Sequence, residues 1–216
     1  MKILVFDTET TGLPTNKYES VKPKWYKCWG YIVQISWILY DTERNRSVEM
    51  ADHIIKINED IDLPESSIKI HGITREDMEI YGEPFREILP KFINVLNNCD
   101  CIVGHNISFD INMVRAEMMR RGCVDYFTMI NKPFHCTMKS NIDYCKIQVT
   151  SYTGRKYFKF PKLMELHKKI YGYIPENLHN SLVDVIVCLR CYLKLNYNIE
   201  LSETSKELYE FLSTTH

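Results

Sequence analysis

Three short stretches concentrate residues able to do chemistry: Phe6-Asp7-Thr8-Glu9-Thr10-Thr11-Gly12, His105-Asn106-Ile107-Ser108-Phe109-Asp110 and His179-Asn180-Ser181-Leu182-Val183-Asp184. They supply four acids, Asp7, Glu9, Asp110 and Asp184, and a histidine, His179. Such a set can hold two divalent cations and activate a water for attack on a phosphodiester. Asp7 and Glu9 stand two residues apart at the end of an apolar, β-forming run, so both project from one face of a strand, with roughly 6 to 7 Å between their Cα atoms. Two like charges side by side need a cation. The plain alternative is a pair of solvent-facing acids at a strand end; the apolar strand, which reads as central, and the Thr10-Thr11-Gly12 turn favour the cation.

Asp110 lies where a short strand gives way to a helix, a place a carboxylate also fills for structural reasons. Asp184 follows His179 by five residues, which on a continuous helix would set the two about 140° apart. They could not share one site that way. The helix therefore begins at Asn180 or Ser181 and leaves His179 on the preceding loop, free to swing over the site.

The elements that must hold these groups are legible in outline. Lys2–Phe6, Tyr31–Tyr40 and Val48–Ile57 read as strands, the short connection between the last two making them antiparallel neighbours. Helical spacing follows from Phe85 through Ile88, Leu89, Phe92 and Leu96. Cys101–Gly104 is a brief strand, Ser108–Arg121 a helix, and Phe134–Thr137 a fifth strand. Leu163–Tyr171 is a helix ended by Gly172, Leu182, Ile186, Leu189 and Leu193 mark another, and a last polar helix is expected over about 202–212. Strands first and helix-strand alternation later predict an α/β sandwich on a mixed sheet. The stretch from Pro14 to Gly30 is long for a connection between adjacent strands and reads as an inserted loop.

The 216 residues fit one domain, 1–216, with 45% hydrophobic and 25% charged residues, as in soluble globular proteins. No apolar run is long enough to span a bilayer, and Asp7 interrupts the place where a signal peptide would stay apolar, so the expectation is an intracellular protein, cytoplasmic or nuclear, with no membrane partner and not secreted. The eight cysteines are scattered; Cys188 and Cys191 fall inside a helix and read as buried thiols. A net charge of −1 gives no global attraction to nucleic acid, but Lys139–Lys169 carries eight cations against Asp143 and Glu165. A second cluster, Lys17, Lys22, Lys24 and Lys27, surrounds Tyr18, Trp25, Tyr26 and Trp29, a mixture that suits a nucleic-acid strand as well as it suits a solvated loop.

Asp7-x-Glu9 with Thr10-Thr11-Gly12-Leu13, His105-Asn106-x-x-Phe109-Asp110 and His179-x-x-x-x-Asp184 resemble the three motifs of the DnaQ-like 3′→5′ exonuclease family, DEDDh class. Ile70-His71-Gly72-Ile73-Thr74, Cys136-Thr137-Met138 and Phe160-Pro161-Lys162-Leu163 with Glu165-Leu166 extend the likeness over nearly the whole chain; the loop from Pro14 to Gly30 is longer than the family usually has. The resemblance implies a ribonuclease-H-like fold, a central mixed five-stranded sheet flanked by helices. It implies two Mg²⁺ or Mn²⁺, the first on Asp7, Glu9 and Asp184, the second bridged by Asp7, with Asp110 acting through water and His179 as general base. The implied activity is removal of nucleoside 5′-monophosphates from a single-stranded or frayed end with a free 3′ hydroxyl, DNA being expected over RNA. Leu13 resembles the wedge that family members insert between terminal bases, and the expected substrate contacts are Thr8, Thr10, Thr11, Gly12, Leu13, Ile70, His71, His105, Asn106 and Phe109. His105 is read equally as a strut beside Asp110. A non-catalytic 3′-end-binding module would be free to lose one of the five catalytic residues, and none is missing. A proofreading subunit of a polymerase or repair complex would call for a partner-binding tail, and the segment from Ser202 to His216 is short, acidic and weakly amphipathic.

Overall fold

Alternation along the first strand decides which residues meet which layer. In the computed structural model, which describes residues 1–16, 26–175 and 178–214, β1 (Lys2–Thr10) pairs antiparallel with β2 (Ile32–Asp41), and β2 pairs antiparallel with β3 (Arg46–Ile54). On its other side β1 pairs parallel with β4 (Cys101–Gly104), which pairs parallel with β5 (Phe134–Cys136). The order β3-β2-β1-β4-β5 is a mixed five-stranded sheet with β1 at its centre.

The helical layers follow from the same alternation. Leu4 and Phe6 pack with Phe92 of α3 (Phe85–Asn98) and Met113 and Val114 of α4 (Ile107–Arg120). Ile3 and Val5 pack with Val185, Ile186 and Leu189 of α9 (Ser181–Tyr197). Asp7 and Glu9 continue the register of Ile3 and Val5, towards α9, and Thr8 that of Leu4 and Phe6, towards α4. Between β3 and α3 stand α1 (Glu65–His71) and α2 (Arg75–Tyr81); between α4 and α9 lie the short α5 (Tyr126–Met129), α6 (Thr137–Ser140) and α7 (Ile142–Cys145), the hairpin β6 (Gln148–Thr150) and β7 (Lys156–Phe158), and α8 (Leu163–Tyr171).

Several expectations need correction. β1 runs on past Phe6 to Thr10, and Asp7 and Glu9 lie on one strand as their spacing implies. β3 ends at Ile54 instead of Ile57; Ile55 N–H still donates to Val33 O (2.8 Å) and Ile55 also bridges to Glu83, beyond the regular ladder. The helix expected over 202–212 is two, α10 (Leu201–Thr204) and α11 (Lys206–Thr214), parted at Ser205, whose φ of −146° and ψ of 73° are not helical. Leu201 and Leu208 are buried in the α9-side core, a stronger apolar face than the polar sequence suggests. Lys17, Tyr18, Lys22, Lys24 and Trp25 lie outside the described residues. Cys188 and Cys191 are buried and unpaired on α9, and among the described residues no helix is long and apolar enough to cross a membrane.

Candidate active site

Asp7, Glu9 and Asp184 converge where the end of β1 meets the start of α9: one carboxylate oxygen from each lies within 4.8 Å of the others. The helix start is fixed tightly. Asn180 is the N-cap, its side chain accepting from the N–H groups of Leu182 and Val183, which places Asp184 in the first turn and leaves His179 outside the helix. Ser181 Oγ donates to the backbone oxygen of Asp7 (2.8 Å), and Ser181 N–H donates to Gln34 Oε1 (3.2 Å) on the neighbouring strand. Gln34 Nε2 and Ser36 Oγ in turn donate to Asp52 (2.8 and 2.7 Å). The sequence marks Ser181 only as a helix-start signature and gives no signal for Gln34; both position the acids.

Asp110 stands apart from the three. It is buried in the first turn of α4, where Thr8 donates its N–H and hydroxyl to one carboxylate oxygen (3.2 and 2.8 Å). The sharp turn into α4 explains Gly104, where a Cβ would meet Ile107 Cδ1 at 2.6 Å, and Asn106, which sits in the left-handed region (φ 67°) that asparagine tolerates. His105 bonds Thr137 Oγ1 through Nδ1 and the Pro161 carbonyl through Nε2, both at 3.0 Å, so its ring acts here as a strut; burial holds its pKa down to about 4.

All four acids have pKa values raised by burial, and Glu9, Asp110 and Asp184 by repulsion from their neighbours as well. Burial raises Asp7 to about 7; burial, then the charges of Asp7, Asp184 and Asp110, raise Glu9 to about 9. Burial and Asp7 likewise push Asp110 and Asp184 well up. Acids crowded so closely ionise only against a compensating positive charge. An all-oxygen donor set of three converging carboxylates fits hard divalent cations such as Mg²⁺ and Mn²⁺.

His179 is exposed, with a φ of 75°, and its backbone N–H donates to Asp184 Oδ2 (3.3 Å). Thr11 is tied to Tyr31 through backbone and hydroxyl, and Thr10 Oγ1 braces the Gly12 turn. Ser67 Oγ of α1 donates to Thr11 O (2.9 Å), docking that helix on the turn. Leu13 and Ile70 are 72% and 58% exposed. His71 is buried, its Nδ1 accepting from Ile73 N–H and its Nε2 unpartnered. Leu13, Asn106 and Phe109 line a cavity of about 300 Å³ together with Trp29, which packs on Phe109 at 5.9 Å and which the sequence placed only in an aromatic cluster. Arg120, held by Glu117, donates to the carbonyls of Tyr26 and Trp29 and so fixes the foot of the inserted loop.

A five-stranded mixed sheet that presents acids from its central strand and two helix starts is the frame of a ribonuclease-H-like nuclease. A family model of RNase T exonucleases matches residues 4–192, and the chain belongs to that exonuclease family, of the DnaQ-like kind. No curated protein sequence matches it. Solved structures similar to it include E. coli Exonuclease I in complex with a dA16 oligonucleotide (18% identity, TM-score 0.65) and the zinc-bound form of the E. coli ExoI–ssDNA complex (18%, 0.66), each match covering 99% of this chain and 43% of that one. A further exonuclease I structure, concerned with processivity, matches at 19% identity and TM-score 0.67 over the same shares. The likeness at such identity is one of fold, and the chain spans less than half the length of those proteins.

Proposed function

We propose that residues 1–216 act as one exonuclease domain, inside the cell, that hydrolyses the terminal phosphodiester at the 3′ end of single-stranded or frayed nucleic acid, DNA in preference to RNA, and releases nucleoside 5′-monophosphates. The observation that carries this reading is the convergence of Asp7, Glu9 and Asp184. The similar Exonuclease I structures hold dA16 and dT13 strands, which supports a DNA strand as substrate here.

Asp7, Glu9 and Asp184 would hold one Mg²⁺ or Mn²⁺, with Asp7 shared to a second and Asp110 acting through water. Two such ions supply charge neutralisation at the scissile phosphate and at the departing 3′ oxygen. The chain's own part is positional and protolytic. Thr8 and Ser181 fix Asp110 and Asp7 from opposite sides of β1, so the acids do not have to reorganise when substrate arrives. His179, on the exposed step before α9, takes the proton of the attacking water at its imidazole and passes it to solvent. Leu13 and Phe109 separate the terminal base from its neighbours.

The experiment is digestion of matched, end-labelled DNA and RNA strands with Mg²⁺, with Mn²⁺ and with EDTA. Stepwise shortening from the 3′ end, only with metal and faster on DNA, is expected. Internal cuts, or shortening from the 5′ end, would overturn the reading.

A further inference from the structure

The β6–β7 hairpin carries rings and cations that neither the core nor the acid site uses. Tyr157, Phe158 and Phe160 are 49%, 44% and 51% exposed. Arg155 and Lys156 are exposed as well and form no ion pair among the described residues, whereas Lys159 is bound to both oxygens of Glu165 at 2.6 and 2.8 Å. Lys159 N–H also donates to Ile147 O (3.0 Å), which keeps the chain extended past the end of β7. Strand alternation then sends Lys156 and Phe158 to one side, with Phe160 next in the same series, each roughly 6 to 7 Å from the last.

This ribbon is fastened to the active site. His105, which immediately precedes Asn106, bonds the carbonyl of Pro161, the residue after Phe160. Its other ring nitrogen bonds Thr137 Oγ1, which lies 3.6 Å from Cys188 Sγ, one turn beyond Asp184 on α9. The foot of the hairpin is therefore held against both Asp110's helix start and Asp184's helix. The surrounding chain, Lys139–Lys169, carries eight cations against two acids in a protein of net charge −1.

We propose that this hairpin binds the single strand on the 5′ side of the terminal phosphodiester, with unstacked bases lying on Phe158 and Phe160 and phosphates on Arg155 and Lys156. Spaced flat rings take bases of any sequence, and unpaired cations ahead of them on the same ribbon match a backbone that is charged at every step. The proposal rests on the exonuclease reading for which end of the strand enters the site. An added protein strand would leave both cations without a partner, and a duplex has no unstacked bases to offer the rings.

The test is fluorescence anisotropy on the full chain in EDTA, so that nothing is cut, with 5′-labelled oligothymidylates of 4 and 16 nucleotides. Phe158→Ser should weaken binding of the longer strand about tenfold, while Phe158→Tyr, which keeps the ring, should hold it near the parent value. Lys156→Ser should lower the salt slope for the longer strand by about 0.7. Both losses should be confined to the strand long enough to reach the hairpin. Unchanged affinity of Phe158→Ser for the longer strand overturns the proposal, and so does an equal loss on both lengths, which would mark a structural role. Failure of the exonuclease reading is separable: no cleavage on adding Mg²⁺ or Mn²⁺, with the Phe158 effect intact, sinks that reading and leaves the surface standing.

Discussion

Thr8 gives both its backbone N–H and its hydroxyl to the same carboxylate oxygen of Asp110, at 3.2 and 2.8 Å, across 102 residues of sequence. The bond joins the central strand to the start of α4 and partly offsets burial and the charge of Asp7, which push the pKa of Asp110 well up. Thr8→Val, nearly isosteric, removes one donor and leaves that oxygen short of a partner. A loss of about 1–3 kcal/mol in stability by urea unfolding is expected, together with weaker activity. Unchanged stability would show that the hydroxyl bond contributes nothing net.

Asp7→Asn should abolish turnover and also remove a response that does not depend on turnover. In the parent protein Mg²⁺ or Mn²⁺ should raise the melting temperature, because ions that bind only the folded acid cluster stabilise it by mass action. Asp7→Asn keeps the bulk of the side chain while removing its charge, so calorimetry should find little or no rise. A full metal-induced rise in Asp7→Asn would mean the ions bind elsewhere.

His179→Ala should lower kcat on the order of 10²- to 10⁴-fold with little change in KM, since a general base acts in the chemical step. Its exposure means the substitution should leave the melting temperature alone. Near-normal turnover would assign the proton to another base or to bulk hydroxide.

His105 sets an acid limit on the fold. Burial holds its folded-state pKa near 4, against the ordinary 6.5, so between those values the unfolded chain binds the extra proton. The histidine's contribution is complete above pH 6.5 and disappears as pH falls through about 4, amounting to about 2–3 kcal/mol. His105→Gln keeps a donor and an acceptor and removes the titration. Urea midpoints at pH 7.5 and 5 should therefore show the parent losing more stability than the variant on acidification; a gap independent of pH would rule this out.

What the sequence disclosed and what it withheld divide on physical lines. Apolar alternation in β1 and β2 and helical spacing in α3 and α9 were legible because burial imposes a period. The start of α9 was legible because Asp184 and His179 cannot face one site on one helix. The helix α1 escaped notice, since Glu65–His71 is short and presents Ile70 to solvent. Its place is set by a tertiary bond from Ser67 to Thr11 that no local pattern announces. Gln34 was hidden for the same reason: its neighbours on β2 are apolar, and its partner Ser181 is 147 residues away. Trp29 carried a signal, its place among aromatics and lysines, but not which of them would face Phe109.

Leu13 offers the sharpest test of how the substrate end is held. It is exposed beside the Gly12 turn and lines the cavity shared with Trp29 and Phe109, so Leu13→Ala should cost almost nothing in stability; deleting a buried leucine would cost about 2–5 kcal/mol. Its effect should fall on activity, more on fully paired ends than on single strands, because a paired terminus must be opened before its last phosphodiester reaches the acids. A fall in melting temperature of many degrees would make Leu13 a core residue after all. The same preparation should leave covalently closed circles intact, since a circle offers no terminal base for Leu13 to part from its neighbour; efficient cleavage of circles would refute the end requirement whatever Leu13 does.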